Sequence, residues 1–263
     1  LSSPVRIWNG EYADCAGANI IVITAGASQR PGETRLDLFK RNTAIFRQIL
    51  PQVLEYNRSA ILLIATNPVD VLSYASWKLS GLDAARVIGS GTVLDTARFR
   101  SLISTRFNLD ARNVHAFIIG EHGDSEVAVW SSANIAGVPM QDYCRQIGNE
   151  ICGDDRQRIT DEVRNAAYEI IKRKGATYYA VGMGLARIVE SILRDQNSVL
   201  SISSLVPGLY GIEDVYLSLP TVLGQNGVER VLELNLDDSE MADLLHSAAV
   251  MRQVIDQLDI QPL

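Results

Sequence analysis

Cysteine and histidine are both scarce here, three of each in 263 residues, and that scarcity narrows the chemistry. Cys15, Cys144 and Cys152 are odd in number and form no Cys-x-x-Cys pair. Neither a disulfide framework nor a zinc site is expected, and a reducing, cytoplasmic compartment fits. Long apolar runs are missing too. None approaches the roughly 18 residues that span a bilayer, so no membrane contact is expected. The opening Leu1-Ser2-Ser3-Pro4 has neither a basic nor an apolar leader segment, so no secretory signal is expected, and no initiator Met stands there. Positive charge is in deficit: 24 Lys plus Arg against 31 Asp plus Glu leave a net charge of −7. Nucleic acid is therefore excluded as a main partner, because binding phosphates requires a basic face. Gly-x-Ser-x-Gly, a Walker loop and His-Glu-x-x-His are all absent, so a hydrolase or metalloenzyme has no support. A complete Gly-x-Gly-x-x-Gly is absent as well. Gly89-Ser90-Gly91 meets Leu94, and Gly182-Met183-Gly184 meets Arg187, where the third glycine belongs.

What is present is an ordinary globular composition, 47% apolar and 21% charged, in a chain long enough for two coupled domains. The β-branched run at 19–24 and the apolar run at 60–65 predict strands buried on both faces. A helix predicted over 35–56, with a bend at Pro51, separates them. Further helices are predicted at 69–79, ending on Gly81, and at 93–106; short strands are predicted at 86–88 and 114–119. Strands apolar on both faces that alternate with helices indicate a covered parallel sheet. Helices over 155–174 and 177–194 meet at Gly175. Strands over 199–205, 214–219 and 227–234 follow, punctuated by Gly208, Gly211, Gly224 and Gly227 as hairpins require. A last helix is expected over 238–258. The expected class is α/β passing into mixed α+β.

Chemistry concentrates at the ends of the predicted strands. Ile119-Gly120-Glu121-His122-Gly123-Asp124-Ser125 sets one of the three histidines between two carboxylates and two glycines. Histidine trades a proton near neutral pH, so His122 is a candidate acid/base group; a turn-capping role is the alternative. Asp95 and Arg98 are three apart on a predicted helix and share a face. An aspartate can orient a histidinium and an arginine can fork onto a carboxylate; a surface ion pair is the alternative. Asn67 offers donor and acceptor beside Pro68, or the pair simply starts a helix. The charged loop Gln29-Arg30-Pro31-Gly32-Glu33-Thr34-Arg35 could close as a lid over the strand ends, or remain a solvated loop.

These segments occur together and in order: 23–27, 29–38, 66–70, 89–100 and 120–125. In this they resemble the NAD-dependent L-2-hydroxy-acid dehydrogenases, the lactate/malate dehydrogenase family, over essentially the whole chain. The resemblance implies a partial Rossmann-type parallel sheet over 1–89 and an α+β catalytic domain with antiparallel hairpins over 90–263. It implies a reversible hydride transfer between NADH and pyruvate, giving L-lactate. By the resemblance, His122 is the proton donor, Asp95 its orienting carboxylate and Arg35 the lid group that polarises the keto oxygen. Arg98 would clamp the substrate carboxylate, with Gln29, Asn67 and Thr177 completing the substrate pocket. Thr24, Ala25, Gly26, Asn42, Thr66, Asn67 and Ser90 would face NAD, and the Asn67–Pro68 bond would be cis. Arg100 and His115 match positions that bind fructose 1,6-bisphosphate in bacterial members, and a homotetramer is implied. The neutral Gln29 stands where the malate branch carries an arginine, which favours pyruvate over oxaloacetate; the malate reaction remains the alternative.

The pattern departs from the family at one place. The first strand, the complete glycine turn and the ribose-binding acidic residue have no counterpart. Taken literally, these 263 residues are expected to bind NAD poorly and to turn over slowly or not at all, while the full-length protein is expected to be active. A non-catalytic assembly subunit is the alternative from another class.

Overall fold

The computed structural model describes residues 4–27, 35–148 and 153–257. The apolar runs form the strands the pattern predicts. Strands β1 (Ile20–Ile23), β2 (Ile61–Ile64) and β3 (Val87–Gly89) lie parallel, with Ile20 opposite Ile61 and Leu62 opposite Val87. All four residues of β2 are buried. Its side chains alternate between two cores: Leu62 and Ile64 join one, Ile61 and Leu63 the other. That is the period-two signature of a strand covered on both faces. Helices α1 (Arg35–Tyr56) and α2 (Val69–Ser80) cover one face through Phe46, Leu50, Leu72 and Leu79. Pro51 lies within α1, which runs on as one helix. Gly81 ends α2 in the left-handed conformation, at φ 64°.

Helix α3 (Val93–Phe107) leads to β4 (Val114–Ile119). The chain then makes a strand and a short helix that the sequence pattern did not anticipate, β5 (Val127–Ile135) and α4 (Met140–Ile147). With β6 (Val138–Pro139) they complete a three-stranded antiparallel sheet, β4-β5-β6. Alternation along β5 is blurred because Val127, Ala128 and Val129 are all buried before the polar Ser131 and Ser132. Helix α4 is only eight residues long, too short for a clear helical period. Long helices α5 (Gly153–Lys174) and α6 (Tyr179–Leu193) follow.

Strands β7 (Ser198–Pro207), β8 (Glu213–Gly224) and β9 (Gly227–Val231) extend the first sheet into a six-stranded one, β1-β2-β3-β7-β8-β9. Strand β8 outruns its predicted length because it continues through Pro220, whose carbonyl accepts the Leu232 N–H at 2.8 Å. Helix α7 (Asp238–Ile255) closes the fold with an Asp237–Glu240 capping box.

The seam between the parallel and antiparallel halves is the antiparallel pair Gly89–Ser203. Only glycine fits there and just beyond it. A Cβ on Gly89 would lie 2.9 Å from Ser203 Cβ. Gly91, at φ 52°, would place one 2.6 Å from Ser218 Oγ and 2.8 Å from the Ile202 carbonyl carbon. The junction is also bonded through one acceptor. The Ile118 carbonyl receives the hydroxyls of Thr92 at 2.6 Å, Ser201 at 2.7 Å and Thr96 at 3.3 Å. This knot ties the end of β4 to the start of α3 and to β7. Among the described residues β1 is an edge strand, and Val22 is 39% exposed.

Candidate functional site

Gly120 ends β4 at φ 84°, and its backbone exchanges hydrogen bonds with Ser218 at 2.8 and 2.9 Å. A Cβ there would meet Ser247 Oγ at 2.8 Å. The chain therefore turns sharply and presents Glu121 and His122 at the seam. Ser247 accepts the Glu121 N–H at 2.7 Å, and the Ser125 hydroxyl donates to the Glu121 carboxylate. Asp124 accepts from the Tyr168 hydroxyl at 2.8 Å, tying the turn to α5.

His122 Nδ1 lies 2.6 Å from Asp95 Oδ2, and Arg98 Nη1 donates to Asp95 Oδ1 at 3.0 Å. One buried carboxylate thus binds both cations. An ionised carboxylate only accepts, so Nδ1 carries its proton toward Asp95 and Nε2 is left to exchange one. Burial alone would lower the His122 pKa. The charge and hydrogen bond of Asp95 outweigh it, with help from Asp70 and Glu126, and raise the pKa to about 9. Burial would raise Asp95, but His122 and Arg98 hold it below the ordinary carboxylate value.

Two more buried carboxylates stand nearby, and sequence spacing gave no role to either. Asp70 Oδ2 accepts the His122 main-chain N–H at 2.7 Å. Burial pushes Asp70 up to about 6 against the Ser203 hydroxyl and His122, which favour its charge. Burial and the Asp95 charge push Glu126 up to about 8. Its Oε1 has no hydrogen-bond partner among the described residues. Both acids are buried by elements distant in sequence, so no local signal marks them.

A pocket beside His122 is lined by Ala65, Asn67, Ser90 and Gly91 from the ends of β2 and β3, and by Val93, Leu94, Val181, Leu185 and Ile188. The structure thus brings Asn67, Ser90 and His122 onto one cavity. The Asn67–Pro68 bond is cis. Thr66 Oγ1 donates to the Ala25 carbonyl at 2.8 Å. The Asn42 amide accepts the Ala27 N–H at 2.8 Å and donates to the Asn67 carbonyl at 3.0 Å. Asn42 and Thr66 therefore brace the strand-end loops. Thr24, Ala25 and Gly26 are exposed at the end of β1. Thr177 is half-buried just before α6 and does not line the pocket; the wall comes from α6 itself. Arg98 is also off the pocket wall, held at Asp95 behind His122. Gln29 and Arg30 lie outside the described residues, as does the side chain of Arg35, whose backbone opens α1.

Arg100 donates to the Ala116 carbonyl at 2.8 Å and packs over the Phe117 ring, while His115 is exposed on the same strand. No group of three or more His, Cys, Asp or Glu that could hold a metal ion is found among the described residues.

The pocket, lined mainly by apolar residues with Asn67 and Ser90 at the ends of parallel strands, lies where nucleotide cofactors bind in open α/β sheets. Residues 1–89 match the family model for the lactate/malate dehydrogenase NAD-binding domain, and residues 92–259 the model for that family's alpha/beta C-terminal domain. The L-lactate dehydrogenase of Thermoanaerobacterium saccharolyticum is 56% identical over 260 residues, covering 99% of this chain and 84% of that protein. The L-lactate dehydrogenase of Acetivibrio thermocellus is 54% identical, covering 98% and 81%. The minor L-lactate dehydrogenase of Enterococcus mundtii, in a ligands-bound crystal structure, superposes with a TM-score of 0.94 at 43% identity, covering 98% of this chain and 82% of that one.

Proposed function

The chain belongs to the lactate/malate dehydrogenase family, and from that premise we propose that His122, held by Asp95, is the acid/base group for NAD-dependent interconversion of pyruvate and L-lactate. The observation that carries this reading is the Asp95 carboxylate, bonded at once to His122 and Arg98. It keeps the imidazole charged at neutral pH, so Nε2 can give a proton to the keto oxygen of pyruvate and take one back from lactate. It also sets Arg98, whose planar fork suits a monocarboxylate. NAD, when bound, supplies or accepts the hydride. Ala65, Asn67, Ser90 and Gly91 would hold its nicotinamide, with Thr24, Ala25, Gly26, Asn42 and Thr66 on the same side. Arg35 and Gln29 would close over the substrate, and Thr177 would complete its pocket. Residues 1–89 serve the cofactor in this reading, and residues 90–263 the substrate.

Gln29 decides the substrate. It has no charge to meet the second carboxylate of oxaloacetate, so pyruvate is favoured. The reading extends to a homotetramer in the cytoplasm, activated by fructose 1,6-bisphosphate at Arg100 and His115. No helix among the described residues is long and apolar enough to cross a membrane.

The test is NADH oxidation with pyruvate and with oxaloacetate, by the wild type and by Gln29→Arg. We expect pyruvate to give the higher kcat/KM with the wild type and Gln29→Arg to move the preference toward oxaloacetate. A wild type that prefers oxaloacetate refutes the substrate assignment, and a His122→Asn variant that keeps wild-type kcat refutes the acid/base assignment.

A further inference from the structure

We infer that Asp70 is a positioning residue for the proton transfer: its carboxylate fastens the His122 main chain to helix α2 and places a second negative charge beside the imidazole. The inference rests on His122 as the acid/base group. Its first support is geometric. Asp70 is 2% exposed and sits in the first turn of α2, where its Oδ2 accepts the His122 N–H at 2.7 Å. The second is its place in the chain. Asp70 follows the cis Asn67–Pro68 bond by two residues, and Asn67 lines the same pocket as His122. One four-residue segment therefore supplies a pocket wall and anchors the catalytic turn to it.

The third support is the charge count. The groups around the pair are Asp95 and Arg98 on α3, Glu121 and Glu126 on or beside the turn, Arg164 on α5 and the Ser203 hydroxyl on β7. Near neutral pH, Glu126 at about 8 is mostly uncharged, while Asp70 at about 6 is mostly ionised. Near neutral pH Asp70 is thus the ionised neighbour that supplements Asp95, and Glu126 joins it as pH rises through about 8. A merely structural acceptor in this position would work equally well as a neutral amide.

That contrast defines the experiment. Asp70→Asn keeps an oxygen for the His122 N–H and removes the charge. In the full chain with NADH, the alkaline limb of kcat/KM for pyruvate should move down by about one pH unit, so that activity on that limb falls roughly tenfold. A limb coinciding with the wild type, in a variant that melts cooperatively, overturns the inference. Should the variant fail to fold, the wild type decides. With ¹⁵N-histidine labelling, the His122 amide proton should titrate with a midpoint near 6 as Asp70 ionises. An amide that stays flat through that pH overturns the inference. If the wild type binds NADH and still fails to reduce pyruvate, the proposed function falls, while the amide titration still reports on the Asp70–His122 bond.

Discussion

Replacing Asp95 by asparagine removes one charge and almost no volume, and so isolates what the carboxylate does. His122 stands at about 9 against an ordinary 6.5. At about 1.4 kcal/mol per pKa unit, the site favours the charged imidazole by about 3 kcal/mol. Burial works against that preference, so the carboxylates, Asp95 foremost, contribute more than the net figure. In Asp95→Asn the alkaline limb of kcat/KM for pyruvate should fall from near 9 to 6.5 or below. An amide can also donate to Nδ1 and select the wrong tautomer, for which the loss in a serine-protease triad is about 10⁴ in rate. Stability follows the same linkage. A histidine whose folded pKa is raised stabilises the fold fully below 6.5, and the contribution disappears as pH rises through about 9. The wild type should therefore lose melting temperature across that window, and Asp95→Asn should lose less. The assays are a pH series of NADH oxidation and a matched series of thermal melts. An Asp95→Asn enzyme whose alkaline limb stays near 9 would refute the assignment of Asp95 as the source of the shift.

Two further predictions concern the surroundings. Glu126 is an acid whose folded pKa is raised from 4.5 to about 8, so its burial weakens the fold increasingly as pH climbs between those values. Glu126→Gln should melt higher than the wild type above pH 8 and lose that advantage near 4.5; equal melting curves at high pH would contradict this. Gly91→Ala should cost about 2 kcal/mol or more in denaturant unfolding, because φ is 52° and the new methyl meets Ser218 and Ile202. A loss under about 0.5 kcal/mol would show that the seam can yield.

The parallel half of the fold was legible because its strands are apolar on both faces and its helices have clean periods. Helix α1 spans the residues its pattern predicts, even through Pro51. Strand β5 and helix α4 were not legible: one is buried without alternation at its start, the other is too short to show a period. Residue type and spacing marked His122, Asp95 and Arg98 as candidates, and the family resemblance joined them into one site. Their distances could not be read, because Asp95 and His122 are 27 positions apart and meet through the packing and hydrogen bonds between α3 and β4. Asp70 and Glu126 stayed hidden for a related reason. A carboxylate reveals itself chemically through burial, and here the burial is created jointly by α2, β7 and α5, which no local window contains.

Asp95 serves two cations with one carboxylate, and with Arg98 as the proposed substrate clamp this couples anion binding to protonation. A substrate carboxylate that engages Arg98 competes for the guanidinium's attention to Asp95. The carboxylate so released presses harder on His122 and tightens its hold on the proton. By reciprocity, a protonated His122 must strengthen anion binding by the same factor by which the anion strengthens protonation. A monocarboxylate that cannot react should accordingly take up protons from alkaline buffer as it binds, in the fraction of sites that were empty of them.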